Sequence, residues 1–473
     1  MQFNSQEYFI FLGIALTIFW LLRNYEAPRL RLLFVSSCLF YMAWNPKYIV
    51  LLLASTFYDY FIGNAIHASD DERVRKRWVT VSIVGNLAFL GVFKYFNFAS
   101  RSIGDLFGLF GVHFQAPYLD VLLPVGISFY TFQTMSYTID IYRRKIEPAK
   151  TFREYAVFVT YFPALVAGPI VRASELLPQL AEKPRLTPER VSEGVFLILT
   201  GLVKKIVVAD YLSVNLVDRV FDNPELYTAT EVVIALYGFT AQIYADFSGY
   251  TDMARGSAML MGYDLPENFD RPYQAPNPAE FWRRWHMTLS RWLRDYLYFP
   301  LGGSRSGPVR AYFNLWITFF LIGVWHGASW TFVIYGALQA TVIVIHRFVV
   351  RSSKRPRDAK DPFAVLALKV FLSMQFVVFS RILFRANDIS NAREVTERLF
   401  SGTSSMAQIA PTVWAVLIGF FILHYTPRAW YERLRDTFKA LPAPAQGLAA
   451  AGTAGVLAQI ATTQVVPYIY FQF

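Results

Sequence analysis

The sequence predicts an all-α polytopic membrane protein, and three observations carry that prediction. The chain has 473 residues, of which 55% are hydrophobic and 17% charged; soluble globular chains run nearer a quarter charged. Eight stretches carry no Asp, Glu, Lys or Arg: 8–22, 32–46, 78–93, 121–139, 155–171, 311–345, 409–427 and 441–473. The polar faces that soluble helices show at helical spacing are mostly missing from them. Abundant Phe, Tyr and Trp with little charge also exclude a disordered chain. A single cysteine, Cys38, excludes a disulfide framework and any multi-cysteine metal site.

A bilayer core about 30 Å thick needs roughly 20 mostly apolar residues for each helical crossing. Several of the stretches reach that length, and others do so once a flanking Lys or Arg snorkels to the interface. Further apolar segments near 48–66, 193–213, 230–250 and 363–383 each carry a single polar interruption. The total comes to about eleven crossings. Positions 1–7 carry no positive charge and no small-residue cleavage site follows 8–22, so the first helix reads as retained rather than removed. The connections 23–31, 67–77 and 140–154 hold 3, 4 and 5 basic residues, against 1 and 2 in 45–48 and 94–120. Cytoplasmic loops retain Lys and Arg, which places the N-terminus outside. The last segment starts from a basic connection and so also ends outside.

No internal repeat, linker or composition shift divides the chain, and residues 1–473 read as one continuous membrane domain. The formal charge of +11 suits anionic inner-leaflet lipids or a phosphorylated cytosolic ligand. Its scatter over membrane-flanking loops argues against nucleic acid.

The most polar long interval is 264–310. Its prolines at 266 and 272 forbid a continuous helix at the start. From Ala279 to Tyr298 the pattern predicts an amphipathic interfacial helix, with Trp282, Trp285, Leu289, Trp292 and Leu293 at three-to-four spacing. Arg283, Arg284, His286, Arg291 and Arg294 lie among its other residues. The uncharged stretch 311–345 would run about 52 Å as a straight helix, too long for one crossing. It must break, and Trp325-His326-Gly327-Ala328-Ser329 is where.

His326 at that break is the strongest candidate for chemistry. An ionisable group among apolar segments is costly and faces an interior as a rule, and imidazole suits removing a proton from a hydroxyl near neutral pH. A structural histidine bonding a backbone carbonyl fits as well. His286, forty positions earlier, is either a supporting residue or a solvated one. No two-His spacing supports a zinc site. Asp246, Ser248, Thr251, Asp252 and Arg255 suggest a polar seam, with Asp252 and Arg255 spaced for an ion pair one helical turn apart. No GxSxG, Walker loop or dinucleotide-binding glycine pattern is present.

At these residues the chain resembles the membrane-bound O-acyltransferase family, in its bacterial alginate O-acetyltransferase branch. The resemblance rests on Pro124-Val-Gly-Ile-Ser-Phe-Tyr-Thr-Phe-Gln-Thr134, Ala167-Gly-Pro-Ile-Val-Arg172, Asp246-Phe-Ser-Gly-Tyr-Thr-Asp252, Phe281-Trp-Arg-Arg-Trp-His286 and Trp325-His-Gly-Ala328. It implies a ring of helices around a thinned centre with a tunnel between the two faces. It further implies that His326 is catalytic and that His286 is the second signature position. A cytosolic acyl thioester such as acetyl-CoA would be the donor substrate, with no bound cofactor or metal. Arg283, Arg284, Arg291 or Arg294 would hold its phosphates, or else anchor lipid phosphates. The acceptor would be an exported polysaccharide such as alginate. A periplasmic acyltransferase partner or small accessory subunit would complete transfer from the bacterial inner membrane. The C-terminal Tyr468-Ile-Tyr-Phe-Gln-Phe473 resembles the tail of the small subunit of teichoic-acid D-alanylation, which makes Tyr470 a candidate acyl relay; an interfacial aromatic belt is the other reading. Rival functions are peptidoglycan O-acetylation, teichoic-acid D-alanylation, and a non-enzymatic carrier or flippase for lipid-linked sugars.

Overall fold

The computed structural model describes residues 1–305, 307–353, 361–461 and 466–469. The described residues form helices and no strand, apart from one isolated bridge between Phe269 and Trp285. In chain order the α-helices are α1 (Gln6–Leu21), α2 (Glu26–Met42), α3 (Ile49–His67), α4 (Glu72–Leu90), α5 (Phe96–Leu109), α6 (Ile127–Tyr142), α7 (Phe152–Thr160), α8 (Phe162–Leu165) and α9 (Ala173–Ala181). There follow α10 (Pro188–Val203), α11 (Asp218–Asp222), α12 (Ala229–Leu260), α13 (Pro278–Arg284), α14 (Met287–Leu293), α15 (Pro308–His326) and α16 (Trp330–Ser352). The last are α17 (Phe363–Arg385), α18 (Ile389–Leu399), α19 (Pro411–Tyr425), α20 (Arg428–Ala440) and α21 (Ala443–Ile460).

Four helical segments among the described residues are long and apolar enough to cross a membrane: Pro46–His67, Glu72–Leu109, Trp330–Ser352 and Phe363–Arg385. The α1 and α19 helices are apolar but shorter. Many large hydrophobic side chains on these helices face outward, among them Ile10, Phe61, Val84, Phe371 and Ile422. Apolar residues pointing away from the protein interior are what a lipid solvent allows.

Two stretches in the N-terminal part of the chain depart from the sequence reading. Residues 155–171 do not form a crossing helix. The α7 helix ends at Thr160, Tyr161 leaves helical geometry, and α8 holds four residues. The proline at 163 removes a backbone donor there. Conversely, part of the expected connection 94–120 is helical, because α4 continues through a π-turn at Gly91–Tyr95 into α5.

The chain divides into two compact units, one of Met1–Val191 with Ser257–Pro266, the other of Ser192–Gly256 with Glu267–Phe473. In the first, α3, α4 and α6 pack around a buried polar knot. Ser82 Oγ and Asn86 Nδ2 donate to the two oxygens of Asp59 at 2.6 and 2.7 Å, and Thr134 Oγ1 donates to Asn86 Oδ1 at 3.2 Å. Each carboxylate oxygen thus has a donor, which is how a polar group survives among apolar helices.

The second unit is built on α12 and on the α15–α16 pair. These two helices pack along much of their length. Gly323 and Gly336 make the approach possible, since a Cβ on Gly323 would lie 2.2 Å from the Gly336 Cα. Small residues at a helix contact let backbones close and bring dispersion contacts with them.

Candidate active site

The break predicted in 311–345 is present. The α15 helix ends at His326 and α16 begins at Trp330, with Gly327 extended between them. His326 therefore sits in the last turn of α15, 3% exposed. Its Nδ1 lies 2.6 Å from the Ile322 carbonyl oxygen one turn back. A carbonyl can only accept, so Nδ1 carries the proton and the lone pair is on Nε2. The Ile322 carbonyl, one turn back on the same helix, thus fixes both the tautomer and the ring orientation.

The interfacial helix expected over 279–298 is instead broken at Trp285 and His286. The α13 helix stops at Arg284, and His286 adopts a left-handed conformation at φ 43°, ψ 56° as the residue before α14. Tertiary pairing overrides the helical spacing here. Asp270 N donates to Arg284 O at 3.0 Å and Met287 N to Asn268 O at 3.0 Å, with Phe269 bridged to Trp285 between them. Asn268 Oδ1 also accepts from Thr288 N and Oγ1. Left-handed geometry costs a non-glycine residue on the order of 1–2 kcal/mol, so the loop holds His286 in place against a strain. The result turns His286 inward, and its exposure is 0%.

The two histidines, distant in sequence, meet around one ring. The His286 ring centroid is 5.9 Å from that of Trp325, and His326 is 5.1 Å from the same indole. Phe247 on α12 closes on His286 at 4.8 Å, and Phe384 on α17 on His326 at 5.3 Å. Burial, with repulsion from a charged His326, holds the His286 imidazole well below its ordinary range. It sits neutral, fit to position rather than to carry charge. The α13 helix is tied down by Trp282 Nε1 donating to Gln339 Oε1 on α16 at 3.2 Å, and Gln339 Nε2 donates on to Ser380 Oγ of α17 at 3.3 Å.

Gly327 is set by its neighbour. A Cβ there would fall 2.1 Å from Phe332 Cδ2. Phe332 in turn packs on Phe384 at 5.0 Å, and Phe384 is the wall of His326. Gly327→Ala is therefore expected to push the Phe332 ring and move that wall. Turnover should fall about 100-fold through misplacement of the histidine, with the protein still folded by size-exclusion chromatography; wild-type turnover in the variant would refute this account.

The four arginines do not act alike. Arg283 and Arg284 both pair with Glu280, at 3.3 and 2.9 Å, and Arg294 pairs with Asp295 at 2.7 Å. Arg291 lies on α14 beside Trp292. The expected Asp252–Arg255 pair is replaced by longer-range partners. Asp252 bonds Lys204 at 2.6 Å and Arg255 pairs with Glu267 at 3.3 Å. Asp246 is paired with buried Lys205 at 2.8 Å, and Lys205 also contacts Asp210 at 2.7 Å. Tyr470 lies outside the described residues. Among the described residues no cluster of three His, Cys, Asp or Glu could hold a metal.

One buried group, Arg381, escapes the sequence reading, and another, His424, reads there only as a weaker histidine. His424 ends an apolar segment in sequence but accepts from Tyr273 N at 3.3 Å and packs on Tyr244, a structural role. Arg381 is the only formal charge within 370–384 and is 1% exposed. A lone charge in an apolar run was the available signal for it.

Fold and site together define a multi-pass helical membrane protein with two histidines buried against a shared indole. The chain belongs to the membrane-bound O-acyltransferase family, whose model matches residues 79–385, and it is an O-acyltransferase. It is 36% identical over 439 residues to the protein named "Probable alginate O-acetylase AlgI" of Pseudomonas aeruginosa, covering 91% of this chain and 81% of that one. It is 33% identical to the "Peptidoglycan O-acetyltransferase" of Helicobacter pylori over 84% of this chain and 79% of that protein. The "Teichoic acid D-alanyltransferase" of Bacillus subtilis matches at 27% over 55% of this chain and 68% of its own length.

Proposed function

We propose that this chain moves an acetyl group from a cytosolic thioester, acetyl-CoA, across a bacterial inner membrane for O-acetylation of an exported polysaccharide such as alginate. The observation that supports it most is the His326 ring, fixed by Ile322 so that Nε2 is the basic nitrogen. In this reading Nε2 takes the proton of an acceptor hydroxyl, and neutral His286 holds the neighbouring wall. Arg283, Arg284 and Arg294 take the donor's phosphates in exchange for their present carboxylate partners, and Arg291 joins them. The N- and C-termini lie outside, and a periplasmic acyltransferase or small subunit passes the acetyl group on, with Tyr470 as its first acceptor.

The test uses proteoliposomes holding the protein, acetyl-CoA with labelled acetyl on one side, and uronate polysaccharide with the exported partner on the other. The expected result is thiol on the donor side and label on the far side, both lost with His326→Ala. Thiol release without any label crossing would overturn transmembrane transfer. Full label transfer by Tyr470→Phe would remove the relay.

Peptidoglycan as acceptor is the second reading, favoured by the similarity to the Helicobacter pylori protein. Label on muropeptides rather than on uronate chains would establish it.

A further inference from the structure

Arg381 lies on α17, one residue after Ser380, inside the second unit and nearly without solvent contact. Its guanidinium carbon is 4.9 Å from the Trp285 ring and 5.2 Å from the Phe384 ring. Trp285 immediately precedes His286, and Phe384 is the ring against His326. The cation is therefore lodged between the walls of the two histidines.

Among the described residues its charge has no counter-charge. No carboxylate among them approaches its nitrogens within salt-bridge distance, and neither Nε nor Nη2 has a hydrogen-bond partner there. The titratable groups flanking it are two phenols without formal charge, Tyr273, whose hydroxyl interacts with the guanidinium, and Tyr335. Cation–π contact with two rings offsets part of the cost of burial, about 2 kcal/mol at best per desolvated pair. It satisfies none of the N–H groups, and a buried unpaired charge costs more than that. Every other buried cation named above, Lys205 included, is matched with a carboxylate.

The identity of the two unpartnered nitrogens is informative. Nε and Nη2 form one edge of the guanidinium plane, the fork that grips a single oxyanion with parallel N–H bonds. An arginine with this edge open, buried beside the base of an acyl transfer, is placed where negative charge develops during reaction.

We propose that Arg381 is the oxyanion-binding catalytic residue of this acyltransferase, its Nε–H and Nη2–H donating to the carbonyl oxygen of the acyl thioester. The inference rests on the acetyl-CoA reading above. The acceptor oxygen bonds to the carbonyl carbon while its proton passes to His326 Nε2. The carbonyl π pair moves onto oxygen, and the Arg381 fork holds that anion. The pair then returns, the C–S bond breaks, and the departing thiolate takes the proton from His326 Nε2. Thioester and alcohol become ester and thiol, with both histidines and the arginine restored. An oxyanion bound by preorganised donors in a water-poor site is where such donors contribute most.

The experiment measures thiol release from acetyl-CoA by the full-length protein in lipid nanodiscs, comparing wild type, Arg381→Met, Arg381→Lys and His326→Ala. Arg381→Met removes the charge with little change in volume. Its kcat should fall about 10²–10³-fold, as on losing an oxyanion donor, with donor KM within about threefold. Arg381→Lys keeps the charge but replaces the two-donor fork by a point charge, and should recover about tenfold over the methionine variant. Should Arg381→Met fail to fold, a folded Arg381→Lys with about tenfold lower kcat at unchanged KM would still support the assignment. Wild-type kcat in either folded variant would overturn it. So would a raised KM with kcat retained, which would put the donor's phosphates on the guanidinium. No His326-dependent thiol release by wild type would instead strike down the acetyl-CoA reading, and this inference with it.

Discussion

His326→Gln is expected to reduce turnover of acetyl-CoA by about 10²–10⁴-fold, the range a general base contributes. Glutamine is the informative replacement. Its amide can still donate to the Ile322 carbonyl that Nδ1 now engages at 2.6 Å, so the end of α15 keeps its partner. What it lacks is a basic lone pair in the position of Nε2. The melting temperature should therefore stay within a few degrees, since one preserved hydrogen bond is worth about 1 kcal/mol. Donor affinity, measured with a non-hydrolysable thioether analogue of acetyl-CoA, should be unchanged. A purely structural histidine predicts the reverse pattern, with turnover kept by glutamine and stability lost on His326→Ala. Turnover above about a tenth of wild type in the glutamine variant would remove His326 from the chemistry.

The second large effect concerns stability. Lys205 is fully buried and contacts Asp246 at 2.8 Å and Asp210 at 2.7 Å. The same cluster holds the last described stretch of the chain. Lys205 Nζ donates to the Val466 carbonyl at 3.2 Å and lies 4.2 Å from the Tyr468 ring, while Ile469 N donates to Asp246 Oδ2 at 2.8 Å. Lys205→Met leaves two carboxylates facing each other away from water. Breaking a buried pair from one side costs about 3–5 kcal/mol, and the loss should appear as a lower melting temperature in detergent. Lys205→Met combined with Asp246→Leu should recover most of it, because a matched apolar pair leaves one carboxylate free to protonate. Additive destabilisation in the double variant would show that the two residues do not act as a unit.

Much of the site was legible in the sequence because the bilayer makes a simple rule. Charge is expensive in hydrocarbon, so a thirty-five-residue uncharged run had to break, and the one ionisable residue at the break had to be of interest. That argument located His326 without any knowledge of its neighbours. The helical pattern of tryptophans in 279–298 was real, yet it misplaced His286. Periodicity reports only local preference, and the backbone bonds from Asn268 and Asp270 that break the helix come from residues outside the window. The Asp252–Arg255 reading failed for the same reason, since neighbours at helical spacing lost to partners on other segments.

The sequence by itself determined that this is a helical membrane protein of the O-acyltransferase family, that 311–345 bends, and that a histidine marks the bend. Those features follow from composition, length and solvent, which act on each segment separately. Only the tertiary structure decided that His286 turns inward, that both histidines share Trp325, and that Arg381 lies between their walls with its fork open. These depend on which side chains distant segments bring together, and no pattern within one segment encodes a partner on another.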